Sequence, residues 1–139
     1  MLNQILCIDD DPISLMLCKK VISRASFSKE IITLLNGEQA VEYFNKIKNN
    51  ANEDGLLTQP QLIFLDLNMP VMGGWEFLDY FLDPDFFVFN TIKVVILSST
   101  IDPKELERSK KYPMVIDFLP KPITKSMLEN LQDKLDFKK

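Results

Sequence analysis

Five short apolar runs, each followed by a segment of helical periodicity, constrain this chain more than any other feature. The runs are Gln4–Ile8, Glu30–Leu35, Leu62–Leu65, Lys93–Leu97 and Val115–Leu119. Continuous rather than alternating hydrophobicity marks a strand covered by helices on both faces, the condition of a parallel sheet. Alternation of strand and helix, without repeats or an internal linker, predicts a doubly wound α/β fold: a five-stranded parallel sheet with five helices. At 139 residues the chain has the length of one domain, so residues 1–139 are read as a single unit.

The helices have readable starts. Asp11 caps the first and Pro12 fits its first turn. In that helix Ile13, Leu17 and Val21 recur at i, i+4 and i+8, supported by Met16 and Ile22, and predict its buried face. Asn36-Gly37 opens a second helix with Ala40, Val41, Phe44 and Ile47 on one side. Lys48–Thr58, polar and carrying Asn, Asp and Gly, reads as an exposed loop. A third helix starts near Gly74 and carries Trp75, Phe77, Leu78 and Phe81, and Asp83–Asn90 reads as a Phe-rich loop. Asp102-Pro103-Lys104-Glu105 combines a cap, a first-turn proline and a carboxylate three residues after the cap. Thr124 caps a last helix striped by Leu128, Leu131 and Leu135.

Composition narrows the chemistry. Hydrophobic residues at 46% exclude disorder as the dominant state. A net charge of −4 argues against nucleic acid or an anionic membrane as partner. The chain has no histidine, which removes His-based acid–base catalysis, Ser–His and Cys–His pairs and His-ligated zinc. Cys7 and Cys18 lack CxxC spacing and read as small buried hydrophobes in a reducing compartment. No cationic, apolar signal peptide precedes Asp9, and no apolar run approaches the ~20 residues of a spanning helix. A cytoplasmic location is expected.

In a doubly wound sheet the site lies at the carboxyl ends of the strands. Strand one ends in Asp9-Asp10-Asp11, strand three in Asp66 and strand four in Ser98-Ser99, while strand five leads to Lys121. Taken singly, an Asp here is a helix cap or turn former, a Ser bonds local backbone, and a Lys is solvated. Taken together they bring carboxylates, a hydroxyl and an ammonium to one rim. Crowded carboxylates call for a cation, and an all-oxygen set suits Mg2+. A carboxylate can also attack phosphorus, and phosphoryl transfer needs positioning and charge neutralisation more than acid–base chemistry. The missing histidine is no obstacle to that reaction.

Four segments carry a resemblance to a known family. They are Ile5-Leu6-Cys7-Ile8-Asp9-Asp10-Asp11-Pro12, Phe64-Leu65-Asp66-Leu67-Asn68-Met69-Pro70-Val71-Met72-Gly73-Gly74, Val95-Ile96-Leu97-Ser98-Ser99 and Phe118-Leu119-Pro120-Lys121-Pro122. In this order and spacing the chain resembles the receiver domain of two-component response regulators over essentially its whole length, with the flavodoxin-like, CheY-like fold. The resemblance implies that Asp66 is the phosphoacceptor, supplied by a histidine kinase or a histidine phosphotransfer protein. It further implies that Asp9 and Asp10 bind Mg2+ with Asp66 and the backbone carbonyl of Asn68. Ser98 matches the hydroxyl that moves to the phosphoryl group, Lys121 the lysine that pairs with it, and Phe118 the aromatic that turns inward when Ser98 moves. The Lys121–Pro122 bond is expected to be cis. Single-domain members either bind a target or relay the phosphoryl group. The face built from Asp102–Lys111, Val115–Leu119 and Thr124–Phe137 is the one the family uses for recognition.

The sequence departs from the family at several points. Gly73 stands where Asp is common, which affects loop flexibility. Ser99 stands where a small residue such as Ala is usual. Phe118 lacks the hydroxyl of the common Tyr, leaving aromatic burial to drive the switch. Lys48–Pro60 is longer than the usual connection. Phe86, Phe87 and Phe89 either cover the end of helix three or form an exposed docking patch.

Two rivals fit less well. A Mg2+-dependent phosphatase with an aspartyl intermediate carries Asp-x-Asp, whereas Asp66-Leu67-Asn68 puts an amide where the general acid would be. A flavin or nucleotide module needs a phosphate-cradling loop after strand one, where this chain has three acids. The expectation is a signalling module that takes up and loses a phosphoryl group on Asp66, not a turnover enzyme.

Overall fold

The computed structural model describes residues 2–54, 59–69, 71–89 and 91–135. Five strands, β1 (Leu2–Ile8), β2 (Ser28–Leu34), β3 (Leu62–Asp66), β4 (Lys93–Ser98) and β5 (Val115–Pro120), form one sheet in the order β2-β1-β3-β4-β5. All four pairings are parallel. The helices are α1 (Pro12–Arg24), α2 (Gly37–Asp54), α3 (Gly74–Phe81), α4 (Pro103–Ser109) and α5 (Lys125–Leu135). This is the doubly wound α/β fold that the strand–helix alternation predicts.

The period-two geometry of a strand divides the core in two. Ile5, Cys7, Leu62, Phe64, Val95 and Leu97 face the side covered by α1 and α5, where Leu15, Cys18, Ile22, Leu128 and Leu131 meet them. Leu6, Ile8, Ile63, Leu65, Val94 and Ile96 face the other side, with Ala40, Phe44, Phe77 and Leu78. Every residue of β3 is buried, as required of the central strand.

The helix starts are built as expected. Asp11 Oδ1 accepts the Ile13 N–H at 2.9 Å, Asp102 Oδ1 accepts the Lys104 N–H at 2.9 Å, and Thr124 Oγ1 accepts the Met127 N–H at 3.2 Å. The Leu128, Leu131, Leu135 stripe of α5 is buried.

Three expectations need correction. In α1 the buried residues are Leu15, Cys18 and Ile22, whereas Ile13 is 63% exposed and Leu17 44%. The helix carries two overlapping apolar stripes, and the sheet takes the one spaced i, i+3, i+7. The second correction concerns Lys48–Thr58: α2 continues through Lys48 to Asp54, because no proline or glycine intervenes before Gly55 and each Asn costs a helix no more than about 0.7 kcal/mol. Residues 55–58 lie outside the described residues. Lastly, Pro84–Phe89 is a 3₁₀ turn rather than a loop. Phe86 and Phe89 are buried, with Phe89 4.8 Å from the Phe44 ring centroid and 5.6 Å from that of Phe86. Those two rings are core, not docking surface; the Phe87 side chain, like residues 136–139, is outside what is described. Lys48 Nζ donates to the Asp85 carbonyl at 3.0 Å, tying the extended α2 to this turn.

Candidate functional site

Register brings the strand ends together. Ile8 pairs with Leu65, so the next residues, Asp9 and Asp66, leave neighbouring strands side by side. Asp66 pairs with Leu97, one residue before Ser98, and Ser98 pairs with Pro120, one residue before Lys121. The Lys121 N–H donates to the Ser98 carbonyl at 2.8 Å, and the Lys121–Pro122 peptide is cis.

The loop after β3 is held by close packing. Gly74 N–H donates to the Leu67 carbonyl at 3.0 Å, and a Cβ on Gly74 would come within 2.7 Å of the Asp66 carbonyl oxygen. Only glycine lets the start of α3 approach the strand end this closely. Earlier in the same loop Val71 has φ of 68°, a left-handed conformation that a β-branched residue rarely adopts. Its neighbour Met72 accepts the Gly37 N–H at 2.9 Å, which anchors the loop to the start of α2.

Asp9, Asp10 and Asp66 offer carboxylate oxygens that all lie within 4.8 Å of one another. Asp9 and Asp66 are buried, and Asp10 is exposed. Lys121 Nζ lies 2.7 Å from Asp9 Oδ2 and 3.6 Å from Asp66 Oδ1. Asp9 Oδ1 also accepts the Asp11 N–H at 3.0 Å.

The electrostatics follow from that crowding. Burial, then the charge of Asp9, pushes the Asp66 carboxyl up from 3.8 to about 6, against the opposing pull of Lys121 and a hydrogen bond from the Asn68 backbone. Burial opposes the charge of Lys121, but the hydrogen bond to Asp9 and the charges of Asp66 and Asp9 outweigh it and raise its pKa above the usual lysine value. Three acids facing one ammonium leave an excess of negative charge in a partly dry pocket. The donor set fits a hard divalent cation, which prefers carboxylate and carbonyl oxygen.

Ser98 is 2% exposed, and its hydroxyl donates to the Thr100 carbonyl at 2.6 Å. It is therefore engaged within its own loop. Thr100 holds it through a backbone atom, so no residue type in the sequence marks that role. Phe118 is buried in the core on the α2–α3 side of the sheet. Without a phenolic hydroxyl, no polar atom of this side chain draws it towards water. The Asn68 side chain is exposed.

The site connects to α4 through a cluster that the sequence does not announce. Trp75, directly after Gly74, receives the Arg108 guanidinium 4.4 Å from its ring centroid and packs at a tilt against Tyr112, with ring centroids 5.6 Å apart. The Tyr112 hydroxyl donates to Asp79 Oδ1 at 2.7 Å. Among the described residues no helix is long and apolar enough to cross a membrane.

Comparison with known proteins agrees with this construction. The response regulator receiver domain family matches residues 5–133, and the chain belongs to that family. Among solved structures, a two-component response regulator from Cytophaga hutchinsonii is 29% identical with a TM-score of 0.85, over 96% of both chains. The bacteriophytochrome response regulator RtBRR is 27% identical with a TM-score of 0.76, covering 99% of this chain and 80% of its own. The Mn(2+)-bound form of response regulator Rcp1 is 26% identical with a TM-score of 0.70, covering 97% of this chain and 93% of its own. No curated protein matches the chain by sequence.

Proposed function

We propose that this receiver domain, residues 1–139, accepts a phosphoryl group on Asp66 from a phosphohistidine and signals the change to a partner protein. The observation that carries the reading is the convergence of Asp9, Asp10 and Asp66 within 4.8 Å, with Lys121 reaching both buried carboxylates. Asp9, Asp10, Asp66 and the Asn68 carbonyl are the residues that would hold Mg2+, and the ion would neutralise charge on the transferring group. The solved relative Rcp1 in a Mn(2+)-bound form supports a divalent site of this kind.

Each side chain then has a defined task. An Asp66 oxygen attacks phosphorus as the bond from phosphorus to the histidine nitrogen breaks, and the imidazole leaves with the electron pair. Lys121 pairs with one peripheral phosphoryl oxygen. Ser98 releases the Thr100 carbonyl and donates its hydroxyl to another. That release is the start of the switch, since it frees the loop that leads into α4. The downstream surface is the α4–β5–α5 face. The amide at Asn68, in place of a second acid, supports a signalling role over a turnover phosphatase. A cytoplasmic location fits such a kinase-fed module.

A phosphate-mimicking beryllium fluoride tests the reading. Binding is expected only with a divalent ion present, with a changed environment for the Ser98–Thr100 loop. Binding in excess chelator, or an unchanged loop, contradicts it.

A further inference from the structure

Cys7 and Cys18 lie eleven positions apart on β1 and α1, yet their Sγ atoms are 3.7 Å from each other. Both are free thiols, and both line a cavity of about 330 Å3 that is also lined by Asp9, Asp66 and Lys121. A cavity of that size has room for a molecule little larger than water, whose share of liquid volume is about 30 Å3. The pair is therefore reachable from the phosphoacceptor pocket although the protein surface covers it. We propose that Cys7 and Cys18 form an oxidisable dithiol whose disulfide slows phosphoryl uptake at Asp66. The proposal rests on the functional reading above for its output, though not for the bond itself.

The oxidant is a peroxide. Cys18, a buried residue like Cys7 but 7% exposed against 2%, attacks one peroxide oxygen. The O–O bond breaks, water leaves, and Cys18 becomes a sulfenic acid. Cys7 sulfur then attacks the Cys18 sulfur, forming the S–S bond and expelling a second water. Two thiols lose two electrons and two protons to one hydrogen peroxide.

The coupling is mechanical. A disulfide needs its sulfurs about 2 Å apart, closer than the 3.7 Å at which they stand, and the closure is shared between rotation of the two side chains and movement of α1 against β1. Such closure moves the start of α1, where the Asp11 N–H holds Asp9 Oδ1 at 3.0 Å. Asp9 itself follows Cys7 by two residues, just past the end of β1, and pairs with Lys121. Displacing a positioned group by about 1 Å costs roughly a hundredfold in rate in a preorganised site.

The test uses the full chain, reduced or treated with stoichiometric hydrogen peroxide and then alkylated. Peptide mapping without reductant is expected to find Cys7 linked to Cys18 within one chain. The oxidised protein should take up phosphoryl from acetyl phosphate and Mg2+ at least about tenfold more slowly than the reduced protein. A thiol reductant should restore the rate, and Cys18→Ala should label like reduced wild type with or without peroxide. Only intermolecular dimers, only sulfinic or sulfonic acids, or a linked pair with unchanged labelling overturns the proposal. Reduced wild type that takes no label overturns it through the Asp66 reading, and the linked peptide then reports on the bridge alone.

Discussion

The Lys121 ammonium sits 2.7 Å from Asp9 and 3.6 Å from Asp66, so its shorter contact is with a carboxylate of the proposed cation site rather than with the proposed phosphoacceptor. The lysine thus serves as counter-ion to the acid cluster. On the proposed reading, a divalent ion at Asp9 would compete with that contact and release the lysine towards Asp66.

Removing this counter-ion therefore has opposite effects on stability and on metal binding. Lys121→Ala leaves two buried carboxylates uncompensated. It is expected to destabilise the metal-free protein by roughly 2 kcal/mol, less than for a fully buried pair because solvent reaches part of the lysine. Mg2+ affinity should rise by about tenfold, since a competing cation is gone. Urea unfolding in chelator and calorimetric titration measure the two effects, and no change in either contradicts the assignment.

Stability should also depend on pH through Asp66. Its folded pKa of about 6 lies above the unfolded 3.8, so between these values the native state holds more protons than the unfolded one. The contribution of Asp66 to stability is full below the unfolded value, falls as pH rises through the folded pKa, and stays lost above it. In chelator, Asp66→Asn should gain on wild type by up to about 2 kcal/mol between about pH 4 and pH 7, after allowing for solvent access. Saturating Mg2+ should shrink the gain. Thermal unfolding of both proteins across that range checks it, and a gain independent of pH or unaffected by Mg2+ contradicts it.

The backbone of the loop after Asp66 offers an independent check. Val71 holds φ of 68° and is 72% exposed, so it pays conformational strain without burying much apolar area. Val71→Gly should stabilise the protein by about 0.5–1 kcal/mol, the relief of a left-handed β-branched residue less the added entropy of glycine in the unfolded chain. Denaturant unfolding reads this directly, and a loss of stability would mean that the loop is held differently.

Much of this architecture is legible in the residues. The uniformly apolar Leu62–Leu65 and the apolar residues that follow Lys93 up to Leu97 admit little but a two-sided parallel sheet, and the strand-end rule then gathers Asp9, Asp66, Ser98 and Lys121. What escaped depends on tertiary context. Ile13 and Leu17 are as apolar as Leu15 and Ile22, and only the docking angle of α1 decides which stripe is buried. The end of α2 hid behind Asn residues that a helix tolerates at small cost. The closeness of Cys7 to Cys18, and of Arg108 to Trp75, arises from elements that meet only in the folded chain.

The central claim is best tested by phosphotransfer from a purified histidine kinase or histidine phosphotransfer protein carrying labelled phosphohistidine. With Mg2+ present, wild type should acquire the label rapidly on Asp66, and Asp66→Ala should acquire none. Label retained by Asp66→Ala, or transferred to wild type at an equal rate in excess chelator, would contradict the account.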